Sequence, residues 1–385
     1  DLSFDNEFNI YTYRNFYNGG GVAIGDINND NLQDIFVLDM ASNDHFRAKT
    51  LMASMSTERF DFLTKTAGFQ HQYMFNTLQL NRGNGKFSNV AFATGLGSTD
   101  WSWSPLFADL DNDGWKDFYV TNGYRRYAND KDFKNELKAN TKKLTKELRE
   151  EFYAKMPEYK LSNYVYRNSK DLSFTNQTKD WGMDHPSYSN GASYADLDND
   201  GDLDILVSNV DAKTFVYRNN SNLKDNNNFL RVKPVGKEAA RVANAKVSIY
   251  SGDQIQYQEY ATSRGYQSSV EHVLHFGLGK EASVDSVKVE WPSGFTQHLT
   301  NESTNGCIEI TEETGMLVCG TVYYDENGNC TQDDNEMGIP GATIQISPGS
   351  RYITSDESGY YQVYLDEGDY SLTQQVLDGW ALTCP

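Results

Sequence analysis

The chain lacks several features that mark common protein classes. Its 385 residues include only eight prolines and four cysteines. They contain no run of about 18 apolar residues, so the sequence predicts no membrane insertion. Lys and Arg total 34 against 54 Asp and Glu, which gives a formal net charge of −20. This charge disfavours nucleic acid as a partner and favours cations.

All four cysteines, Cys307, Cys319, Cys330 and Cys384, lie in the last quarter of the chain. They have neither CxxC spacing nor a nearby histidine cluster, which argues against zinc. We therefore expect disulfides in an oxidising compartment, with three pairings open. The chain also opens at Asp1 without a leader pattern. Both features predict a secreted protein, extracellular or on a bacterial cell surface, whose signal peptide has been removed.

Catalytic motifs are missing as well. The sequence has no GxSxG, HExxH, P-loop or GxGxxG pattern. Carboxylates are abundant, so a polysaccharide-active enzyme stays open as one alternative, but most of the clustered carboxylates belong to a repeated loop. We therefore predict that the chain is not an enzyme.

That acidic loop occurs three times, as loop 1 (Asp26–Asp34), loop 2 (Asp109–Asp117) and loop 3 (Asp196–Asp204). Each copy lies between a strand of small residues and an apolar, β-rich strand, which is typical of a hairpin unit that stacks on its neighbours. The copies are about 85 residues apart, longer than a usual blade of about 40–50 residues. Each interval is therefore predicted to hold a blade and an insertion.

Oxygen-bearing side chains fall at positions 1, 3, 5 and 9 of each loop, where one turn brings them together. Such crowded carboxylates repel one another unless a multivalent cation offsets the charge, and calcium accepts six to eight oxygens in flexible geometry. The predicted side-chain ligands are Asp26, Asn28, Asp30 and Asp34, then Asp109, Asp111, Asp113 and Asp117, then Asp196, Asp198, Asp200 and Asp204. Backbone carbonyls at position 7 are expected from Leu32, Trp115 and Asp202.

Position 6 must make the sharp turn, and it holds Gly114, Gly201 and, in loop 1, Asn31, which tolerates positive φ. Asn28 removes one charge from loop 1, so we expect that site to be the weakest. Two alternatives stay open: solvated acidic turns that bind nothing, and ions that only hold blades together.

Two insertions interrupt the repeats. Residues 131–156 are predicted to form one helix, because Phe133, Leu137, Leu144, Leu148 and Phe152 share one stripe and Pro157 ends it. We expect this helix to pack on the flank of the blades, with partner binding as the alternative. A helix near residues 48–62 is predicted from a weaker pattern.

The fold class is predicted as mainly β: a partial or complete β-propeller with helical insertions, followed by two small β-sandwich-like domains. An Asn-rich segment, residues 219–228, has the composition of a linker. The predicted domains are residues 1–222, with the helical insertion near 131–156, then 229–312, then 317–385.

Three resemblances follow from these motifs. Residues 16–220 resemble the FG-GAP/VCBS repeats of integrin-α-like β-propellers, and this resemblance implies calcium at the loop side chains named above. Such propellers have more blades than three loops supply. Residues 229–312 are similar to the ASPIC/UnbV domain, carried by segments such as Arg264–Ser268, His275–Gly279 and Val289–Gly294. His272 and His275 resemble a metal pair, but i and i+3 face opposite sides of a strand, which favours packing.

The tail, residues 317–385, resembles an SdrD B-like or Cna-B-like sandwich. No lysine follows Lys288, so the isopeptide bond of some relatives cannot form. An EF-hand-like spacing predicts a fourth calcium at Asp325, Asn327, Asn329 and Glu336, although Cys330 replaces the turn glycine.

These features predict a calcium-binding, Bacteroidota-type surface protein that serves as a binding or adhesion module, with a protein or glycan at the cell surface as its partner. The alternative is a structural subunit that self-assembles into an extracellular filament or sheath, since exposed blade edges invite strand addition. Sequons such as Asn176–Thr178 and a Bacteroidota-like motif at Asp285–Val287 also predict a glycoprotein.

Overall fold

A computed structural model describes most of the chain. The described residues are 21–50, 61–66, 68, 75–126, 130–140, 145–236, 242–312, 316–348, 351–365, 368–376 and 381–382. The fold is mainly β, as predicted. Within the described ranges, no helix is long and apolar enough to cross a bilayer.

The chain divides into two compact units. The first contains Asp1–Lys233, Ser248–Ser286 and Thr300–Ile308, and the second contains Pro234–Val247, Val287–Leu299 and Glu309–Pro385. This division passes through the middle one of the three predicted domains, whose boundaries stay a prediction.

Three antiparallel sheets in the first unit carry the acidic loops, and we call them blades 1, 2 and 3. Their strands are β1 (Val22–Gly25), β2 (Asp34–Val37), β3 (Met40–Ala41), β4 (Thr77–Asn81), β5 (Phe87–Asn89), β6 (Asp100–Ala108), β7 (Asp117–Asn122), β8 (Tyr164–Asn168), β9 (Phe174–Asn176), β10 (Ser189–Ala195), β11 (Asp204–Asn209) and β12 (Phe215–Tyr217). The strand orders are β1-β2-β4-β5, β3-β6-β7-β8-β9 and β10-β11-β12. Each loop joins the first two strands of a repeated meander.

Successive blades pack face to face through apolar side chains. Phe36 of blade 1 is fully buried against Phe107 and Phe118 of blade 2, with ring centroids 6.1 and 4.5 Å apart. Tyr119 of blade 2 and Ile205 of blade 3 belong to the next buried cluster along the series. Because neighbouring sheets bury their apolar faces against each other, the blades depend on one another for their cores.

The second insertion is helical, but the prediction of one continuous helix is wrong. It contains two helices, α2 (Lys131–Asn140) and α3 (Lys146–Ala154), and Thr145 lies outside both. A straight helix would separate Phe133 from Phe152 by about 28 Å, yet their buried rings lie 6.5 Å apart. Burying both rings requires the chain to turn back; Leu144 lies outside the described residues.

The first insertion begins with α1 (His45–Thr50), and a π-helix covers Phe62–Thr66. The predicted helix at 48–62 therefore starts earlier than expected, and residues 51–60 lie outside the described ranges. A short 3₁₀ turn, Ser221–Leu223, occupies the predicted linker.

The middle of the chain forms two larger sheets and one short hairpin. Its strands are β13 (Asn228–Val235), β14 (Lys246–Ser251), β15 (Gln254–Glu259), β16 (Ser263–Arg264), β17 (Ser268–Ser269), β18 (Leu274–Gly279), β19 (Ser283–Glu290), β20 (Thr296–Ser303) and β21 (Gly306–Thr311). The sheets have the orders β18-β13-β21 and β15-β14-β19-β20, and β16 pairs with β17.

The tail is a small sandwich. Its strands are β22 (Met316–Thr321), β23 (Thr343–Ser347), β24 (Arg351–Thr354), β25 (Tyr360–Leu365) and β26 (Ser371–Gln374). The sheets β22-β25 and β24-β23-β26 face each other, because Val363 of one and Ile346 of the other share a buried cluster. Cys307 and Cys319 are exposed free thiols, so the disulfide prediction is wrong for this pair. Cys384 lies outside the described residues, and the expectation of disulfides stays a prediction for Cys330 and Cys384.

Candidate metal centres

The three acidic loops share one backbone conformation. Position 6 has positive φ in each, at Asn31 (66°), Gly114 (89°) and Gly201 (90°), as predicted. Position 4 is also left-handed in each, at Asn29 (54°), Asn112 (56°) and Asn199 (60°). Only glycine and short polar residues such as asparagine adopt this conformation readily, so two residue choices in each loop follow from the backbone.

The aspartate at position 1 accepts backbone N–H bonds from positions 5 and 6 in every loop. In loop 2, Asp109 Oδ1 accepts from the amide of Asp113 at 3.1 Å, and Oδ2 accepts from Gly114 at 2.8 Å. Asp26 and Asp196 accept the equivalent pairs of bonds. These bonds fold the loop around the position 1 carboxylate.

The carboxylate at position 5 accepts from the amide of position 7 in the same way. The donors are Leu32 at 2.9 Å, Trp115 at 3.0 Å and Asp202 at 3.0 Å. The side chain of Asp202 accepts bonds from Asn222 N and Asn112 Nδ2 instead of joining the ring. Position 7 therefore has only its carbonyl to offer the centre of the loop, which fits the predicted role.

The aspartate at position 9 accepts a backbone N–H bond from an asparagine whose role was not predicted from the sequence. Asp117 accepts from the amide of Leu110 at 3.1 Å and from that of Asn168 at 2.9 Å. Asn81 and Asn219 hold Asp34 and Asp204 equivalently, at 2.8 and 2.7 Å. The signal was present, since Tyr-Val-Tyr-Arg-Asn ends at Asn168 and Phe-Val-Tyr-Arg-Asn ends at Asn219.

The structure gathers carboxylates most closely in loops 2 and 3. Ligand oxygens of Asp109, Asp111 and Asp117 lie within 4.8 Å of one another, as do those of Asp196, Asp198 and Asp200. Among the described residues, loop 1 forms no such trio of acidic groups. Its position 3 is Asn28, whose Nδ2 donates to Asp30 Oδ2 at 2.9 Å.

Burial makes ionisation of these carboxylates costly. Burial, together with the charges of Asp113 and Asp111, raises the pKa of Asp109 well above its usual value. The pKa of Asp117 is raised well above its usual value in the same way, by burial and then by Asp111 and Asp109. In loop 1, burial raises the pKa of Asp34 to about 6. Such carboxylates favour whatever neutralises them, a proton or a cation.

Two buried oxygens at position 3 have no hydrogen-bond partner in the part of the chain that the structure describes. They are Asp111 Oδ1 and Asn28 Oδ1, one in loop 2 and one in loop 1. A buried acceptor without a hydrogen-bond partner is energetically costly. A metal ion bound in the loop would satisfy each of these oxygens in place of a hydrogen-bond donor. The donor set is entirely oxygen, which is the preference of calcium and magnesium, and the mixture of side chains and carbonyls suits flexible calcium geometry.

Arginines offer partial compensation in the two loops with aspartate at position 3. Arg167 pairs with Asp111 at 2.7 Å and with Asp113 at 3.1 Å, and Arg218 pairs with Asp198 at 2.6 Å. Both guanidinium groups lie on the solvent side, with 46% and 64% of their side chains exposed. They leave the buried Asp111 Oδ1 without a hydrogen-bond partner among the described residues.

The loops are also joined in series by asparagine side chains. Asn29 of loop 1 donates to the carbonyl of Gly114 at 3.0 Å, and Asn112 of loop 2 donates to that of Gly201 at 3.1 Å. In return, Asn168 donates to the carbonyl of Ile27 at 2.9 Å, and Asn219 donates to that of Leu110 at 2.7 Å. Each pair of neighbouring loops therefore has two reciprocal links.

Strands from the middle of the chain cover loops 2 and 3. His275 Nε2 lies 2.6 Å from Asn112 Oδ1, and the amide of Gly279 donates to the Asn112 carbonyl at 2.8 Å. Buried Arg231 pairs with Asp196 at 2.9 Å and with Glu271. His275 is buried and the ring of His272 contacts Tyr260, which fits packing histidines.

The tail loop, Asp325–Glu336, has residues with oxygen-bearing side chains at all six ligand positions of an EF-hand, of which four were predicted from the sequence. Asp325 accepts the amides of Gly328, Asn329 and Cys330, and Cys330 has a φ of 63°. Asn327 and Asn329 both donate to Asp333 Oδ2, at 2.6 and 2.9 Å. The missed residues are Thr331 and Asp333, at positions 7 and 9, and the spacing from Asp325 already marked them. Glu336 is buried at position 12.

Protein-family models match segments in each of the three parts of the chain. The FG-GAP-like repeat model matches residues 66–120 and 157–207, which include loops 2 and 3. The ASPIC and UnbV model matches residues 236–316, and the SdrD B-like domain model matches residues 317–385.

Similar curated proteins carry the name cartilage acidic protein 1. The protein of Xenopus tropicalis is 33% identical over 168 residues, which cover 39% of this chain and 25% of the relative. The Homo sapiens protein is 33% identical over 163 residues, covering 38% and 24%. This chain therefore spans about a quarter of the length of the curated relatives that it matches.

A solved chain titled "Structure of the Streptococcal ancillary pilin" aligns over 64% of this chain and 80% of that chain, with 10% identity. Its TM-score of 0.15 is too low to show a shared fold. The family matches and the loop geometry agree: the chain combines FG-GAP-like repeats, an ASPIC/UnbV domain and an SdrD B-like domain.

Proposed function

We propose that this chain is an extracellular binding module of adhesion type that calcium stabilises and that has no catalytic role. The FG-GAP-like repeats and the SdrD B-like domain support an extracellular, adhesion-type protein. The observation that carries the calcium part is the buried trio Asp109, Asp111 and Asp117, in which Asp111 Oδ1 has no hydrogen-bond partner from any described residue.

Electrostatics support a cation in these loops. Three carboxylates within 4.8 Å repel one another strongly when buried, and each raised pKa expresses that cost. A calcium ion offsets the repulsion and accepts six to eight oxygens, which one loop supplies from side chains, a backbone carbonyl and water.

The same geometry supports a stabilising role over a catalytic one. Loop 2 is buried from Asp109 to Gly114, and Gly277 packs so closely that a Cβ there would lie 2.0 Å from Asp109 Oδ2. A substrate has no access to an ion enclosed in this way, and catalytic metal sites need an open coordination position. Calcium would instead fix the loops and the blades that they join.

Native mass spectrometry tests the stoichiometry. After EDTA treatment and exchange into a volatile buffer, added calcium is expected to load four ions per chain, three in the FG-GAP-like part and one in the tail loop. Among the three repeated loops, we expect loop 1 to fill last, because Asn28 gives it one carboxylate fewer than loops 2 and 3. A chain that binds no calcium at millimolar concentration would overturn the proposal.

Adhesion is tested on the same protein. The calcium-loaded chain is expected to bind a protein or glycan on cell surfaces and to lose that binding in excess EDTA. Electron microscopy at rising protein concentration separates this role from that of a filament subunit, which would polymerise without any partner.

A further inference from the structure

We propose that a groove at the end of blade 3 opposite loop 3 binds a neutral sugar unit of a glycan. The groove has a volume of about 330 Å³ and lies between the β10–β11 hairpin and the tip of the β16–β17 hairpin. Its volume falls in the range of small-molecule sites. This inference rests on the proposed binding function and names the chemistry of its ligand.

No lining residue of the groove belongs to an acidic loop, and the nearest one on β10, Ser193, lies three residues before Asp196. Strand β10 runs from Ser189 to Ala195 and enters loop 3 at Asp196, whereas Asn190 and Gly191 line the groove at the other end. Six residues of extended strand span roughly 20 Å. A ligand here therefore does not compete with the cation sites.

Local sequence explains why the space is open. The β10–β11 register shifts between Ser189 and Ala192, so Asn190 and Gly191 bulge out of the ladder. Gly191 has no side chain to fill the space, and a Cβ there would lie 2.8 Å from Ser268 Oγ. Ser208, exposed on β11, forms part of the floor, with its Cβ 4.0 Å from the same position.

The opposite wall is held in place by contacts with two other blades. Gly265 forms a β-bridge with Val22 of blade 1, and the amide of Tyr266 donates to Ser104 Oγ of blade 2 at 3.1 Å. The Tyr266 ring packs on Trp103 with centroids 5.1 Å apart. Tyr266 also lines the groove, and an aromatic residue among polar groups suits a ligand such as a sugar, which has an apolar face.

The polar groups of the groove match sugar hydroxyls. Asn190, Ser208, Thr214 and Gln267 line it, and their side chains make no hydrogen bond within the described part of the chain. Hydroxyls and amides both donate and accept, as sugar hydroxyls do. No lining residue carries a charge, and the net charge of −20 disfavours acidic glycans. An extended peptide fits less well, because the lining offers no deep apolar pocket for a side chain.

The test is a saturation-transfer NMR titration of the whole chain in calcium. The probes are glucose, galactose, mannose, N-acetylglucosamine and their β-linked disaccharides, with sialic acid as the charged comparison. At least one neutral probe is expected to bind, with a dissociation constant on the order of 1 mM for a single sugar unit. Sialic acid is expected to bind at least tenfold more weakly.

Two variants locate the binding. Ser208→Trp fills the groove from an exposed strand position where tryptophan is tolerated, and it is expected to weaken binding at least tenfold. The double variant Thr214→Ala with Gln267→Ala is expected to weaken binding about fivefold. The matched control, Ser283→Trp, places the same side chain on another exposed strand and is expected to bind as the unmodified chain does.

Several outcomes would overturn the inference. They are an absence of binding by every neutral probe, unchanged binding by Ser208→Trp, and equal binding of sialic acid. A selected peptide whose binding Ser208→Trp abolishes would reassign the groove to peptides. Each of these leaves calcium loading and cell adhesion untouched, so the proposed function would survive.

Discussion

Asparagine occurs at three positions around the acidic loops, and a different physical reason accounts for each. At position 4, Asn112 adopts positive φ and donates to the next loop. At the end of the third strand, Asn168 holds the position 9 aspartate with its amide and reaches the previous loop with its side chain. At position 3, Asn28 presents an unpaired oxygen without a charge. Composition alone would not separate these roles.

Replacing Asn112 by alanine should weaken the protein more than the same change at Asn199. Both residues have φ near 60°, so both variants carry similar backbone strain. Of the two side chains, only that of Asn112 bonds to other segments within the described residues, namely to Gly201 O and Asp202 Oδ1 of loop 3 and to His275 Nε2 of β18. At about 1 kcal/mol for each bond, the free energy of unfolding should fall by about 3 kcal/mol more in Asn112→Ala. Urea unfolding in calcium measures the difference, and equal losses would contradict the role of this side chain.

The raised pKa values predict that pH acts differently with and without calcium. Burial raises the pKa of Asp34 to about 6, so the folded state holds its proton at a pH where the unfolded state has lost it. This contribution to stability is present below about pH 4 and is lost as the pH rises through 6. In EDTA, the melting temperature should therefore fall across this window relative to an Asp34→Asn variant. Parallel pH profiles for the two proteins would count against the assignment.

In calcium, the melting temperature should instead rise as the pH rises over the same range. Protons and calcium compete for the same carboxylates, so the stabilisation by calcium should grow as the pH rises from 4 to 7. Melting temperatures recorded with and without calcium across this range measure the growth.

In the tail loop, Asp333 is expected to contribute to calcium binding, and the neighbouring Asp334 is not. Asp333 accepts bonds from Asn327 and Asn329, whereas Asp334 is exposed. Asp333→Ala should therefore reduce calcium loading by one ion per chain in native mass spectra, and Asp334→Ala should leave it unchanged. Identical loading in both variants would show that the tail loop binds no ion through Asp333.

At the scale of elements, the sequence predicted features set by consecutive residues. It missed features that depend on packing between parts of the chain that are distant in sequence. The loop spacing and the turn residues at position 6 could be predicted because they concern nine consecutive residues. The α2–α3 turn was missed, since the stripe from Phe133 to Phe152 fits one helix as well as two, and only packing of the two rings distinguishes them. The link from Asn112 to Gly201 was missed because its partners lie 89 residues apart.

Strand β13 anchors blade 3 through Arg231, whose side chain is 8% exposed and pairs with Asp196 and Glu271. Arg231→Met leaves two carboxylates without their partner, which should cost about 3–5 kcal/mol. Arg218 pairs with the same loop from solvent, so Arg218→Met should cost at most about 1 kcal/mol. Urea unfolding of both variants measures the contrast, and a similar cost in each would contradict the anchoring role.

At the scale of the whole molecule, the first unit depends on residues that are distant in sequence. The β16–β17 hairpin contacts blade 1 through Gly265, blade 2 through Tyr266 and blade 3 through Ser269, which accepts a bond from Ser193 Oγ. The hairpin thus joins strands of all three blades, as the asparagine links between neighbouring acidic loops do.

Thermal unfolding in calcium and in excess EDTA tests the central claim most directly. A ligand that binds only the folded state stabilises it by about 2.7 kcal/mol for each site when its concentration is 100 times the dissociation constant. We therefore predict a melting temperature that rises with calcium concentration and collapses in EDTA. The same transition in both buffers would contradict the claim that divalent ions hold these loops together.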